Sequence, residues 1–407
     1  MTDTQKIARA LGAAPPLTLS AGPATLVAPP APPADETWQL PGGTAWVYYA
    51  QGQQGVVRPV LLADGFNSGS SNIDGLYNGL DNGAYPFLSQ LRARGRTVVI
   101  IGYDDRSASI YRNAETVTAA TLRTSAEQLG DTRLMVGGFS MGGLVTRYAL
   151  ARMETQRIDH RVGVYFSWDA PHRGAYVPIS LQAFAHYIKD LDSAFSDQMN
   201  SPAARQMLAW HLETWNGTPG VDPLRTEFLQ KLQDVGGWPR IPHLLGISDG
   251  TGNGTGNGIA AGATGVLGTG ATISGTDLRT QPKAPDTLAA KIRLGGDVEE
   301  IQAPGVPPVD GAPGGTLDGF KVLADVLNSL PTEYGMAVDN PIAGHCFVPA
   351  ISSTSIRDIT EEDLYTDIDS LPPDESDLDD FLCASTNGGH TEITEEAAYW
   401  LLDRLPG

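Results

Sequence analysis

The sequence predicts an α/β fold: a mostly parallel central sheet with helices on both faces and a helical insertion late in the sheet. Short apolar runs typical of buried strands alternate with helical stretches over the first half of the chain, which is the pattern of βα units that build a parallel sheet. Residues 178–239 then contain several helical stretches and no strand, and a further strand follows them. We expect this segment to form a cap beside the sheet.

Each predicted element has its own signal. Apolar runs such as TVVIIGY, which are typical of strands buried on both faces, predict strands at residues 46–49, 56–63, 97–103, 133–139, 162–168 and 241–248. Apolar residues at helical spacing predict helices at residues 85–94, 116–129, 144–153 and 395–405, and inside the insertion at 179–188, 202–210 and 223–232. We assign residues 38–407 to one domain that carries these elements.

Four stretches differ in composition from the rest of the chain. Residues 1–37 are broken by proline, so we expect a flexible or extended arm, or the remainder of a removed leader. Residues 249–300 form a glycine-rich excursion, in which we expect turns between short antiparallel strands. Residues 304–318, rich in Pro and Gly, are expected to be a linker, and residues 361–380 a solvated acidic loop.

The charge and hydropathy of the chain exclude several function classes. The formal net charge is −20, which would repel a polyanion, so nucleic acid and anionic membrane surfaces are not expected partners. No apolar run reaches the ~18 residues that a membrane-spanning helix needs. We therefore expect a soluble protein, cytoplasmic or secreted after removal of a leader.

The cysteines and acidic residues predict neither a disulfide framework nor a metal site. Two cysteines, Cys346 and Cys383, can form one bridge or remain two unlinked thiols, and the sequence leaves both alternatives open. Neither the acidic stretch nor the glycine-rich stretch has the spaced carboxylates of a calcium-binding loop. We expect no metal and no cofactor.

A serine occupies a turn that is suited to a nucleophile. Gly138-Phe139-Ser140-Met141-Gly142 matches G-x-S-x-G, follows a predicted strand and opens a predicted helix, which is the context of a nucleophile elbow. Small neighbours permit the tight turn, and the helix N-terminus favours negative charge that develops beside the serine. The alternative is a glycine-rich turn that holds a serine by chance. We predict that Ser140 is the nucleophile.

A serine nucleophile needs a base, and the chain has seven histidines. In folds with this elbow, the histidine comes last in chain order, on a loop after the final strand. His390 lies on such a loop, just ahead of the predicted C-terminal helix. We predict that His390 is the base and that His345 is the second candidate.

Two aspartates follow predicted strands and could orient the histidine. Asp169 follows VGVYFSW, and Asp249 follows IPHLLGIS, the usual place for the acid of such a triad. Each could instead be a turn former. An oxyanion hole further requires two backbone N–H groups, which we expect from Met141 and from Phe66 in the loop after residues 56–63.

Three segments resemble the lipase-like α/β-hydrolases, in particular the bacterial branch related to triacylglycerol lipases and to the GPI-inositol deacylases. GFSMGGLVTRYAL is similar to their elbow and helix, SWDAPHRGA to their G-T-P-H-x-G segment, and HCFVPAIS to their late D-G-x-V-P-x-x-S stretch. The resemblance is good over residues 55–180 and patchy elsewhere. It implies an α/β-hydrolase fold and a serine hydrolase.

The departures from that resemblance bear on the acid. His345-Cys346 stands where those lipases have aspartate, and Asp169 stands where they have threonine. The resemblance therefore favours an acid moved to the earlier strand, Asp169 rather than Asp249.

These observations predict a lipase- or esterase-type enzyme that cleaves a small-molecule carboxylic ester through an acyl-enzyme on Ser140, His390 and Asp169. An acyltransferase or a lactone-forming cyclase on the same triad is the first alternative, since an alcohol can replace water as the acceptor. A binding protein that kept the fold without catalysis is the second alternative.

Overall fold

The computed structural model describes residues 29–407. The strands in this part of the chain are, in order, β1 (Glu36–Leu40), β2 (Gly43–Tyr48), β3 (Val56–Val57), β4 (Val60–Ala63), β5 (Val98–Tyr103), β6 (Gln128–Leu129), β7 (Leu134–Phe139), β8 (Val162–Trp168), β9 (His243–Ser248), β10 (Thr264–Gly268), β11 (Asp277–Arg279), β12 (Leu288–Ile292), β13 (Glu299–Gln302), β14 (Gly314–Leu317), β15 (Val338–Asp339), β16 (His345–Pro349) and β17 (Asp380–Cys383).

The α-helices are α1 (Ile73–Asp81), α2 (Phe87–Ala93), α3 (Ile110–Glu127), α4 (Met141–Thr155), α5 (Ile179–Tyr187), α6 (Ala194–Met199), α7 (Pro202–Met207), α8 (Pro223–Asp234), α9 (Gly319–Ser329), α10 (Ala350–Ser353) and α11 (Glu395–Leu402). Short 3₁₀ turns lie at Val309–Gly311, Thr332–Tyr334, Ile368–Ser370 and Pro373–Glu375.

An eight-stranded sheet organises the chain, in the order β1-β2-β5-β4-β7-β8-β9-β17. The pairs β1–β2 and β2–β5 are antiparallel, and every other pair in this sheet is parallel. The carboxyl ends of β4, β7, β8, β9 and β17 therefore meet at one edge, where loops from distant parts of the sequence converge.

Helices cover both faces of this sheet because its strands bury side chains in both directions. In β5, Val98 and Ile100 face one apolar core, and Val99 and Ile101 face the other. Residues of α3 and α4 fill the second core, and residues of α1, α2 and α11 fill the first. Such two-sided burial is why these strands read as unbroken apolar runs.

The fold is that of the α/β-hydrolases, as the sequence predicted. Its marks are the mostly parallel sheet with helices on both faces and the sharp strand–serine–helix turn between β7 and α4. The strand predicted at 162–168 coincides with β8. The strand predicted at 56–63 is divided into β3 and β4, because Arg58 has a left-handed φ of 40° and Pro59 has no N–H to donate to a ladder.

Two strands of the main sheet have no counterpart among the predicted elements. β1 begins at Glu36, so the predicted end of the N-terminal arm at residue 37 lies inside a strand. Residues 1–28 of that arm lie outside the described part of the chain. β17 begins at Asp380, the last residue of the predicted acidic loop, and pairs in parallel with β9. Both strands lie at edges of the sheet and are short, so their apolar patterns are weak.

The segment 178–239 contains the helices α5 to α8 and none of the strands β1 to β17. Every residue of α5 from Ile179 to His186 is buried, so this helix belongs to the core. The role of the segment as a cap stays a prediction.

The glycine-rich excursion leads into a second sheet, of five antiparallel strands in the order β13-β12-β11-β10-β15. It extends past the predicted end at residue 300, because β15 at residues 338–339 pairs with β10. The linker predicted at 304–318 is wrong. β14 lies within it and pairs with β16, and the residues from Val306 to Gly315 are buried.

Cys346 and Cys383 are unlinked thiols. None of the helices between residues 29 and 407 is long and apolar enough to cross a membrane. Over the same range, no group of three or more His, Cys, Asp or Glu side chains is placed to hold a metal ion.

Asp310 is a buried acid that we predict makes stability depend on pH. One carboxylate oxygen accepts the N–H of Gln281 at 2.5 Å, and the other has no hydrogen-bond partner among the described residues. Burial raises the pKa of Asp310 to about 7. The unfolded chain loses this proton near pH ~4, so the free energy of unfolding falls as pH rises from about 4 to about 7.

We expect Asp310→Asn to flatten this part of the profile, because asparagine cannot ionise. Urea unfolding at several pH values would measure the change, with the exposed Asp297→Asn as a control that keeps the wild-type profile. Parallel profiles for Asp310→Asn and wild type would contradict the assignment.

Candidate active site

The turn between β7 and α4 holds Ser140 in a strained backbone conformation. Its φ is 53° and its ψ is −125°, a region that non-glycine residues rarely occupy. A Cβ on Gly138 would lie 2.4 Å from the carbonyl carbon of Gly142, and a Cβ on Gly142 would lie 2.4 Å from the carbonyl oxygen of Ala63. Only glycine fits at both positions. The absence of a side chain there lets the turn pack directly against the end of β4.

The structure brings Ser140, His390 and Asp169 together in one hydrogen-bonded chain. Nε2 of His390 is 2.8 Å from Oγ of Ser140, and Nδ1 is 2.6 Å from Oδ2 of Asp169. All three side chains are buried, with residue exposures of 7%, 4% and 0% for the serine, histidine and aspartate. In this geometry Nδ1–H donates to the carboxylate, which leaves Nε2 free to accept the serine proton.

Backbone contacts fix Asp169 at the end of β8. Its φ of 44° turns the chain sharply, and its N–H donates to the carbonyl oxygen of Ile247 in the neighbouring strand at 2.7 Å. Its Oδ1 accepts the N–H of Asp249 at 3.2 Å. A Cβ on Gly315 would lie 1.9 Å from Oδ2, so glycine in β14 leaves room for the carboxylate.

His390 is held by residues that the sequence analysis did not single out. Its N–H donates to the carbonyl oxygen of Thr316 at 2.8 Å, and the ring of Phe347 meets the imidazole edge-on at 4.7 Å between centroids. Thr316 lies in β14, the strand found within the predicted linker, and Phe347 lies in its pairing partner β16. Adjacent glycines at 314 and 315 were the one local signal of a close approach there.

Asp249 lies beside the triad and has no hydrogen bond to His390. Its Oδ1 accepts from Nε1 of Trp168 at 3.1 Å, and its Oδ2 has no hydrogen-bond partner among the described residues. Burial, and then the nearby carboxylate of Asp169, raise the pKa of Asp249 well above its usual value. Two neighbouring buried carboxylates cannot both ionise at low cost, so the protonated form of Asp249 is favoured.

His345 lies away from Ser140. Its Nδ1 donates to the carbonyl oxygen of Cys346 at 3.1 Å, and its ring meets Phe320 edge-on. Burial lowers its pKa to about 4. The structure does not bring this second candidate base into contact with the serine.

The loop after β4 lies against the nucleophile. A Cβ on Gly65 would lie 3.5 Å from Cβ of Ser140. The buried carboxylate of Asp64 shapes the loop, since it accepts the N–H of Gly65 at 2.7 Å and Oγ–H of Ser71 at 2.6 Å. Burial raises the pKa of Asp64.

The two N–H groups expected to form the oxyanion hole are not used in hydrogen bonds within the protein. The backbone N–H groups of Phe66 and Met141 donate to no acceptor in residues 29–407. Met141 is the first residue of α4, where N–H groups have no partner inside the helix. Two free backbone donors are what a tetrahedral oxyanion requires, and the assignment of these two to that role stays a prediction.

Comparisons with known proteins are distant. No family model matches the sequence, and no curated protein matches it. A lipase from Bacillus licheniformis in its mature form is 12% identical, with a TM-score of 0.32 over 51% of this chain and 72% of that one. A serine hydrolase without a lid from Xanthomonas campestris is 20% identical, with a TM-score of 0.26 over 35% and 65%. An esterase from Pyrobaculum calidifontis is 9% identical, with a TM-score of 0.33 over 60% and 71%.

At this level of similarity, the fold assignment rests on the strand topology and the site assignment on the distances between the side chains. The narrower likeness to GPI-inositol deacylases rests on the sequence motifs alone.

We predict opposite outcomes for the two aspartates. Asp169→Asn should lower turnover of a p-nitrophenyl ester by about 10⁴-fold, the loss that the equivalent change causes in serine proteases, because an amide favours the wrong imidazole tautomer. Asp249→Asn should stay within about tenfold of wild type, because asparagine is close to the protonated carboxyl that it replaces. Steady-state rates measured side by side would test the pair, and the reverse ranking would assign the role to Asp249.

Proposed function

We propose that this chain is a serine hydrolase that cleaves carboxylic esters through an acyl-enzyme. The observation that carries the proposal is the chain of hydrogen bonds from Ser140 through His390 to Asp169, at 2.8 and 2.6 Å. Its three members come from the ends of β7 and β8 and from the loop before α11. Burial of all three excludes bulk water, which strengthens the interactions among them.

The first half-reaction follows from this geometry. Nε2 of His390 takes the Ser140 proton while Oγ attacks the ester carbon, and the carbonyl π electrons move to the oxygen. The N–H group of Phe66, in the loop after β4, and that of Met141, at the positive end of α4, stabilise that oxyanion. As it collapses, the bond to the leaving alkoxide breaks, and His390 returns the proton to it. The acyl-enzyme and a free alcohol result.

Hydrolysis of the acyl-enzyme repeats these steps with water as the nucleophile. His390 accepts a proton from water as the water oxygen adds to the acyl carbon. When this second tetrahedral intermediate collapses, the bond from the acyl carbon to Oγ breaks, His390 returns the proton to Oγ of Ser140, and the carboxylic acid leaves. The carboxylate of Asp169 stabilises the imidazolium in both half-reactions. Asp249 does not exchange protons in this scheme; it holds Asp169 through its backbone N–H at 3.2 Å.

We expect the substrate to carry an apolar group, because two aromatic residues lie in the segments that form the site. Phe347 packs on His390, and Phe66 is buried beside the elbow. We further propose that residues 178–239 act as a cap that selects substrate length. Acyl transfer to an alcohol acceptor needs only a different second nucleophile, so product analysis with an added alcohol separates hydrolase from transferase.

We predict that Ser140→Ala abolishes ester turnover, because the attacking oxygen is removed while the fold keeps its packing. Losing a nucleophile of this kind costs about 10⁴-fold or more in kcat. Initial rates on p-nitrophenyl acetate and butyrate would measure the loss, and an unchanged unfolding midpoint would show that the fold is intact. Most of the activity remaining in a purified variant would contradict the proposal and favour a binding protein.

The histidines provide a matched pair of variants. His390→Ala should reduce turnover nearly as much as loss of the serine, because no other base lies within hydrogen-bonding distance of Ser140 among the described residues. His345→Ala should act on stability instead, since that ring packs in the core. Rates and unfolding midpoints of both variants would separate the effects, and the reverse pattern would move the base to His345.

A further inference from the structure

A pocket of about 310 Å³ lies on the flank of α4, and none of the three triad residues lines it. Three arginines from different elements meet there: Arg147 of α4, Arg173 of the loop after β8 and Arg225 of α8. We call it the arginine pocket. Its volume is at the lower end of the range for small-molecule sites, roughly 300–1,000 Å³.

Arg147 is buried without an acidic partner. Its Nε donates to the carbonyl oxygen of Gly237 at 2.7 Å, and its Nη1 is 3.4 Å from Nδ1 of His172. One face of the guanidinium lies 3.4 Å from the centre of the Trp238 ring. Its Nη2 has no hydrogen-bond partner, and no carboxylate forms an ion pair with it, within residues 29–407. Burial lowers its pKa to about 9, so the charge is poorly compensated.

Arg225 is in a similar position. Its Nη1 donates to the carbonyl oxygens of Gln206 and Met207 at 3.1 and 3.2 Å, and its Nη2 donates to that of Arg173 at 2.6 Å. No carboxylate in the described part of the chain pairs with it, and burial lowers its pKa to about 10. Neutral carbonyls satisfy these donors but supply no opposite charge.

Two carboxylates lie at the mouth of the pocket, and both approach Arg173. Asp377 is 2.9 Å from its Nη2, and the largely exposed Asp358 is 3.8 Å from its Nη1. The Nε of Arg173 is buried without a partner. His172 adds no charge, because burial and then the two neighbouring arginines, Arg147 and Arg173, hold its pKa well below its usual value. Three cations against two carboxylates leave a net +1 in a chain whose formal charge is −20.

We propose that the arginine pocket binds a small molecule that carries a phosphate or carboxylate group. Buried charges are normally paired, and a planar guanidinium recognises both kinds of oxyanion with parallel N–H donors. Stacking on Trp238 holds the Arg147 guanidinium in place, so its free Nη2 is positioned before the ligand arrives. The bound group would face Arg147 and Arg225 and would compete with Asp377 for Arg173.

The test measures anion binding on the full chain at constant ionic strength. Chloride is replaced stepwise by inorganic phosphate, citrate or acetate, and the unfolding midpoint is followed. A ligand that binds the folded state raises the midpoint saturably, by an amount that follows its concentration relative to Kd. We expect saturation with phosphate or with citrate, and the ranking of the two distinguishes a phosphate source from a carboxylate source.

Variants locate the binding. Arg173→Gln should weaken the affinity about tenfold, as expected for loss of a charge-assisted hydrogen bond. Asp377→Asn should tighten it, because a competitor is removed, and a misfolded variant could not gain affinity. Arg94→Gln makes the same change in net charge at a loosely paired surface arginine and should bind as wild type does. Ser140→Ala should also bind as wild type does, which separates this site from the proposed catalysis.

Three results would overturn the proposal. The first is the absence of a saturable rise with every anion. The second is an equal loss of affinity in Arg94→Gln and Arg173→Gln, which would mean that the anions act through general electrostatics. The third is an unchanged or weaker affinity in Asp377→Asn.

Discussion

The buried hydrogen bond between Asp169 and His390 is the interaction on which the rest of the site depends. It is 2.6 Å long, and its carboxylate is fully removed from water. A buried carboxylate is stable only when it accepts hydrogen bonds and lies beside a group that can carry a positive charge. The imidazole and the N–H of Asp249 provide them, and Gly315 leaves the space. The order β7-β8-β9 in the sheet, with β14 beside it, brings these groups to one point.

Much of the fold could be predicted because its signals are local. Strands buried on both faces, such as Val98–Tyr103, are continuous apolar runs, and the G-x-S-x-G turn carries its strand and helix with it. Asp380–Cys383 escaped prediction because four residues at a sheet edge, following an acidic stretch, have almost no pattern. Gly314–Leu317 escaped because small residues that pair with a distant strand look like a linker.

Local sequence signals could not decide which of the two aspartates orients the histidine. Asp169 and Asp249 both follow strands, and their positions alone favoured Asp249. In the structure the left-handed φ of Asp169 turns its carboxylate to His390, whereas Trp168 holds the carboxyl of Asp249. The departure from the lipase motif pointed to Asp169, and no periodicity could have done so. The net charge of the chain does not predict the charge of an individual pocket either. The formal charge is −20, yet three arginines line one pocket.

The central claim is that Ser140 is a nucleophile activated by His390, and covalent labelling tests it most directly. The folded protein would be treated with a fluorophosphonate, digested and mapped by mass spectrometry, beside His390→Ala and an unfolded sample. The account predicts a single adduct on Ser140 in the folded wild type, strongly reduced in His390→Ala and absent after unfolding. An adduct on another serine, or none in the folded protein, would contradict it.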